Sequence, residues 1–146
     1  MLDKRLRIGC VACAVMVALG AACGSGGDDD TPTEAAFVMR ACRGSEHAPV
    51  GELFRVLIRD PAVIAEADAL VGAGDGRFVA GNLVGGDGGF NQPWSWHLDP
   101  ESIAFVEMSV EVCDGCPSFI EADLAYWIDT VGQYCPASSE VVARER

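Results

Sequence analysis

His97 and Asp99, with Glu107 and Glu111 further along, form the stretch of this sequence in which a histidine lies near several carboxylates. An imidazole flanked by carboxylates can ligate a metal ion or move a proton. That chemistry requires His97 and the Glu107 to Glu111 face on one side of a sheet, as would follow if a strand from Trp94 paired with one from Ile103. Each residue also has a plainer explanation. Asp99 before Pro100 caps a turn, Glu107 and Glu111 line the wet face of a strand, and His97 is a ring held by a neighbouring carboxylate. The plainer explanation is the expectation. The group stands as a possible ligand or metal site, with no catalytic residue, metal or cofactor assigned.

Trp94, Trp96 and Phe90 flank the run Gly85-Gly86-Asp87-Gly88-Gly89 and can line a ligand-binding patch, since Trp is favoured where surfaces recognise partners. Aromatic core beneath a sheet is the expected role. The glycine run lacks the Lys-Ser/Thr of a phosphate loop and opens no helix, which argues against phosphate binding. Asp75 and Asp87 do not reproduce the spacing of a calcium loop, and no serine sits in a nucleophile elbow. His47, within the polar loop Gly44 to Gly51, is expected to be exposed.

Cys113 and Cys116 pose a separate choice. Strand, Cys-x-x-Cys and helix in that order suit a thiol oxidoreductase, because a helix amino terminus stabilises a thiolate. Asp114 beside the thiol opposes that, no Lys or Arg is near in sequence, and Cys42 and Cys135 are available as structural partners. In an exported domain of this size the four cysteines point to two disulfides, with three pairings open. Cys113 and Cys116 are expected to be tied to distant partners, Cys42 or Cys135.

The elements that carry these residues follow from periodicity. Phe37 to Cys42 and Leu53 to Arg59 alternate as strands, with Phe54, Val56 and Ile58 on one side and Arg55 and Arg59 on the other. Asp60-Pro61 then starts a helix to about Val71, Asp as cap and Pro in the first turn, burying Ile64, Ala67 and Val71 or their neighbours. Gly72 and Gly74 end it. Arg77 to Val84 is a third strand, and Trp94 to Leu98 alternates Trp94, Trp96 and Leu98 against Ser95 and His97. Ile103 to Cys113 is the longest regular segment, a strand with Ala104, Val106, Met108, Val110 and Val112 on its dry face. Ser118 with Glu121 supplies a capping box for a last helix whose stripe is Ile120, Leu124, Trp127 or Ile128, and Val131, closed by Gly132. The expected fold is α+β: an antiparallel sheet of about four or five strands with two helices on one face.

The amino terminus reads differently. Lys4, Arg5 and Arg7 precede an uncharged run from Ile8 to Ala22, too short to span a bilayer comfortably but fitting the apolar part of a secretory signal. Leu19-Gly20-Ala21-Ala22-Cys23 resembles a bacterial lipobox, in which the Cys is acylated and becomes the first residue. Gly24 to Glu34 contains no large hydrophobic residue and includes Asp28-Asp29-Asp30, so it is expected to be a solvated tether reaching on the order of 35 Å. The organisation expected is signal peptide 1–22, flexible acidic tether 23–35 and a single domain 36–146. Of 146 residues, 10 are Lys or Arg and 22 are Asp or Glu; three of the basic and one of the acidic residues lie in 1–22, leaving 7 against 21. With no Lys after Lys4, nucleic-acid binding is effectively excluded, and the same deficit argues against a peripheral hold on anionic lipid.

Asp60-Pro61, Asn91, Trp94-Ser95-Trp96-His97-Leu98-Asp99-Pro100, Ser102-Ile103-Ala104-Phe105, Glu111-Val112-Cys113-Asp114 and Cys135-Pro136-Ala137-Ser138-Ser139 occur in this order. The pattern resembles the BP-seventy-four amino-terminal domain, a family named for a eukaryotic calmodulin-binding protein, over roughly Phe37 to Glu145. Trp96 stands where that family usually has Phe and Ala137 where it often has Trp. Cys113 and Cys135 match family cysteines while Cys42 and Cys116 look like additions, so the resemblance implies the pairs Cys113 with Cys135 and Cys42 with Cys116. The family name implies no activity here. Calmodulin targets are basic amphipathic helices, whereas the two expected helices carry Glu66 and Asp68, and Glu121, Asp123 and Asp129, with no basic residue.

The reading as a whole is a lipoprotein of the bacterial cell envelope, held by Cys23 and facing the periplasm or exterior. Its domain is expected to be a non-catalytic binding or structural module. An enzyme or metal-binding protein using His97 and nearby carboxylates, or a thiol oxidoreductase using Cys113 and Cys116, is the alternative.

Overall fold

The computed structural model describes residues 33–146. The signal segment, Cys23 and nearly all of the tether lie outside the described residues. In chain order the elements are β1 (Ala35–Ala41), β2 (Glu52–Ile58), α1 (Pro61–Leu70), β3 (Phe78–Gly85), β4 (Trp96–Leu98), β5 (Ala104–Val106), α2 (Pro117–Ala122), α3 (Leu124–Tyr126), β6 (Gln133–Tyr134) and β7 (Glu140–Arg144). A 3-10 turn at Glu111–Cys113 and a π turn at Trp127–Val131 complete them.

Alternation places the first sheet. β1 buries Ala35, Phe37, Met39 and Ala41, and β2 buries Phe54, Val56 and Ile58, so paired antiparallel from Ala35↔Ile58 to Ala41↔Glu52 they offer one continuous apolar face. β7 adds to the other edge of β1, with a register shift between Val38 and Met39, giving the order β2-β1-β7. The second sheet is organised on β3, which pairs antiparallel with β5 along Phe78–Ala80, with β6 along Gly81–Asn82 and with β4 along Leu83–Gly85. The class is α+β with antiparallel pairing, the strands being divided between two sheets. No helix among the described residues is long and apolar enough to cross a membrane.

α1 starts as its sequence dictates. The Asp60 carboxylate accepts the Ala62 N–H at 2.8 Å, Pro61 fills the first turn, and Ile64, Ala67 and Leu70 are buried. Leu70 takes the inward place and Val71 is exposed, because the helix ends at Leu70.

Two expectations are corrected. The long strand from Ile103 to Cys113 is only β5, and Met108, Val110 and Val112 are 85%, 61% and 62% exposed. Its partner β3 begins at Phe78, so beyond Val106 no strand offers hydrogen bonds. The backbone turns locally instead: the Cys113 N–H bonds Val110 O at 3.1 Å, and the Cys113 carbonyl accepts from Cys135 N at 2.8 Å. The last helix is likewise broken. Asp123 (φ −143°, ψ 59°) separates α2 from α3, and Gly132 at φ 71° closes the π turn. The capping box does not form. Ser118 gives its N–H and hydroxyl to the Glu52 carboxylate, both at 2.7 Å, and Glu121 accepts from the Ser95 N–H at 2.8 Å. Pro117 follows Cys116 at the start of α2, and the two long-range carboxylate contacts take the place of a local cap.

Between the sheets lies an aromatic core. Phe54, Trp96 and Tyr134 pack with ring centres 5.4–5.8 Å apart, within the range in which tilted and edge-on aromatic pairs attract. Trp127 covers Tyr134 edge-on at 6.3 Å, and Ile120 and Leu98 are fully buried beside them.

Candidate functional site

β4 determines what each residue around Trp94 can do. Trp96 and Leu98 face the core and His97 the opposite way, as period two requires. The His97 ring lies over the glycine run: Nδ1 is 2.7 Å from Gly86 O, and the ring meets Phe90 edge-on at 5.5 Å. A carbonyl only accepts, so Nδ1 carries the proton of this bond. Gly88 (φ 63°) lies directly under these two rings, where a Cβ would come within 2.6 Å of Phe90 Cε1 and 2.9 Å of His97 Cγ.

The loop from Gly86 to Ser95 is tied at several points. Gly86 N–H bonds Ser95 O at 2.8 Å, and Asp87 Oδ1 accepts Gly89 N–H at 2.9 Å. The Gly89 N–H, the Gln92 side chain and the nearby imidazole hold the Asp87 carboxyl below the usual carboxylate range. Trp94 donates Nε1–H to Leu53 O at 2.8 Å and lies 6.2 Å from Trp96 at 30°. Together Gly86, Asp87, Gln92, Pro93, Trp94 and Ser95 bound an open cleft of about 430 Å³.

The expected grouping of His97 with Glu107 and Glu111 is not assembled. β4 and β5 do not pair with each other; His97 stands opposite Val84 and Val106 opposite Phe78 on the shared strand. Six residues of β3 separate those positions, roughly 20 Å at about 3.3 Å per residue. Glu107 and Glu111 are exposed. Asp99 caps its turn, with Oδ1 accepting the Glu101 N–H at 3.1 Å and its carbonyl accepting from both Ser102 N–H and hydroxyl. Among the described residues no group of three His, Cys, Asp or Glu side chains is placed to hold a metal ion. Trp94 lines the cleft, whereas Trp96 is entirely buried and its Nε1 has no hydrogen-bond partner among the described residues.

The cysteines pair Cys42 with Cys116 and Cys113 with Cys135, their Cα atoms 5.5 and 5.2 Å apart. Cys113 and Cys116 therefore belong to different bridges. The Cys-x-x-Cys spacing arises because the turn before α2 is where both crosslinks land, and it is not a dithiol pair. His47 is exposed, its ring edge-on to Phe119 at 5.8 Å.

One residue near the cleft has a larger part than its sequence position announces. Asn91 is fully buried; its Oδ1 accepts the Arg55 N–H of β2 at 2.6 Å and its Nδ2 donates to the Trp96 carbonyl of β4 at 2.8 Å. The amide thus joins the edges of the two sheets. Ser139 plays a similar part at the start of β3, accepting the Val79 N–H at 3.1 Å.

The family model for the BP-seventy-four N-terminal domain matches residues 33–146. The chain belongs to this family. No curated protein and no solved structure matches it. In this BP-seventy-four N-terminal domain Asn91 bridges β2 to β4, Trp96 fills the core between them, and Cys113 is crosslinked to Cys135. Nothing in the bonding of Trp96 requires an indole N–H. A sequence signal for Asn91 existed in its place within the quoted motif, but a lone Asn in a turn does not disclose that it will be buried.

Proposed function

We propose that this protein is a lipoprotein of the bacterial envelope whose BP-seventy-four N-terminal domain serves as a non-catalytic binding or structural module. Acyl chains on Cys23 hold it at the membrane, each buried methylene contributing about 0.8 kcal/mol. The acidic tether carries the domain clear of the headgroups, facing the periplasm or the exterior. The observation that supports this reading is the pairing of Cys42, Cys113, Cys116 and Cys135 into two bridges, the state an oxidising compartment maintains and a reducing cytosol does not. Arg40, Arg55, Arg59, Arg77 and Arg144 are each matched to a carboxylate, so among the described residues these guanidinium groups gather into no cationic patch for nucleic acid or an acidic substrate.

The test is expression of the full chain with its own amino terminus in a bacterium, followed by fractionation and mass spectrometry. The expected result is membrane-associated material beginning at an acylated Cys23, with Cys23→Ala recovered unacylated. Cytosolic material retaining Met1 and carrying unmodified thiols overturns the proposal.

A further inference from the structure

We infer that the cleft beside Trp94 binds a neutral sugar ring, a pyranoside displayed by a glycan. The inference deepens the binding-module reading, on which it rests, by naming the class of ligand. The cleft's volume of about 430 Å³ lies in the range of about 300–1,000 Å³ that small-ligand sites occupy. Its walls are of two kinds. Trp94 and Pro93 are flat and apolar; Asp87, Gln92 and Ser95 are polar.

Trp94 is pinned for such a role. Its Nε1–H is spent on Leu53 O, and the half-buried indole lines the cleft, so a ligand there meets the apolar ring and not its donor. A pyranose presents one face of C–H bonds to such a surface, with hydroxyls around its rim. Those hydroxyls need acceptors first, and the ionised Asp87 supplies one: its carboxylate holds Gly89 N–H and the Gln92 side chain and, with about four lone-pair sites, can accept further donors. The Gln92 amide and the Ser95 hydroxyl both donate and accept, as a ring of hydroxyls requires. The Gly86 N–H to Ser95 O bond braces the two ends of the loop, so the polar groups are positioned before a ligand arrives.

Charge narrows the class. No Lys or Arg lines the cleft, and Asp87 is in it with Glu121 bonded to Ser95 beside it. Arg55 donates to the Gln92 carbonyl at 3.1 Å without lining the cleft, and its guanidinium is already matched to Glu145 at 2.6 Å. A phosphate or a uronic acid would meet two carboxylates and no free counter-charge. A purely apolar ligand would strip water from a carboxylate, an amide and a hydroxyl without replacing their hydrogen bonds. A neutral polyol with an apolar face avoids both penalties.

The experiment uses the full chain with its membrane anchor, in a detergent without a sugar headgroup. Neutral oligosaccharides of glucose, galactose and N-acetylglucosamine, an oligouronate and choline are titrated by calorimetry. At least one neutral oligosaccharide is expected to bind saturably, with at least tenfold weaker binding by Trp94→Ala and by Asp87→Asn. Asp87→Asn and Gln92→Ala alter exposed or half-exposed groups outside the core, so they keep the test sound if Trp94→Ala fails to fold; Gln92→Ala is expected to weaken binding several-fold. The inference is overturned if folded protein binds no neutral sugar at tens of millimolar, binds only choline or the oligouronate, or binds sugar equally well in the Asp87→Asn and Gln92→Ala variants. Those outcomes leave the acylation of Cys23 standing, and an unacylated Cys23 leaves sugar binding standing, so the two failures are distinguishable.

Discussion

Asn91 Oδ1 accepts the backbone N–H of Arg55 at 2.6 Å, so a side-chain amide satisfies the outer edge of β2 where a neighbouring strand would otherwise stand. With Nδ2 on the Trp96 carbonyl, one residue closes the gap between two sheets. Edge strands need such cover, since unpaired backbone groups invite association.

Replacing Asn91 by Ala leaves one donor and one acceptor unpaired in a dry place, which is expected to cost about 2–4 kcal/mol. Asn91→Asp keeps the acceptor for Arg55 but sets an oxygen against the Trp96 carbonyl, and is expected to be destabilised too. Urea unfolding midpoints of the two variants and the parent check both statements.

The two disulfides close loops of different length, with sequence separations of 74 and 22. Loop-closure entropy makes removal of Cys42–Cys116 cost about 4 kcal/mol and removal of Cys113–Cys135 about 3 kcal/mol. Paired Cys→Ala variants measured by chemical denaturation test the order. Alkylation without reductant, followed by peptide mapping, should label none of Cys42, Cys113, Cys116 and Cys135.

Gly88→Ala forces an L side chain to φ 63° and drives its Cβ into Phe90 and His97. The left-handed conformation alone costs about 1–2 kcal/mol, and the clash adds to it. Gly86→Ala at φ 86° has nothing within 4 Å of the added carbon and serves as the control for conformation alone. Gly88→Ala should be the less stable of the two, and its His97 ring resonances should shift.

Tyr134 should make the fold sensitive to alkaline pH. Tyr134 is fully buried with its hydroxyl bonded to Gly115 O at 3.0 Å, and burial raises its pKa well above 10. The unfolded chain ionises near pH 10 while the folded chain does not, so stability is whole below about pH 10 and falls as pH rises above it. Phenolate absorbance from Tyr134 should appear only with unfolding. Reversible titration of Tyr134 in folded protein would contradict the burial.

Much of the fold is legible along the chain where one element's periodicity suffices. β1, β2, α1 and β3 lie within a residue or two of their expected places because alternation and the Asp60-Pro61 cap act locally. Ile103 to Cys113 shows the limit. Its alternation is as regular as that of β2, but alternation says which way side chains point and not whether a partner strand is present; β3 begins at Phe78 and pairing stops with it. The same absence separates His97 from Glu107, since each is placed by its own stretch of β3. Asp123 breaks the last helix because its carboxylate accepts the Tyr126 N–H and starts α3 anew, while Ser118 and Glu121, the pair expected to cap that helix, are bonded to Glu52 and Ser95 from elsewhere in the chain.

The sequence by itself determined the charge balance, the cysteine inventory, the Asp60-Pro61 helix start and the apolar faces of the first strands, because these depend on residue type and near-neighbour geometry. Which strand edges meet, that Asn91 stands in for a missing strand, and that Trp94 lines a cleft while Trp96 is sealed in the core emerge from the folded domain alone. Those outcomes depend on backbone hydrogen bonds between segments far apart in the chain, whose partners are chosen by the packing of the whole domain.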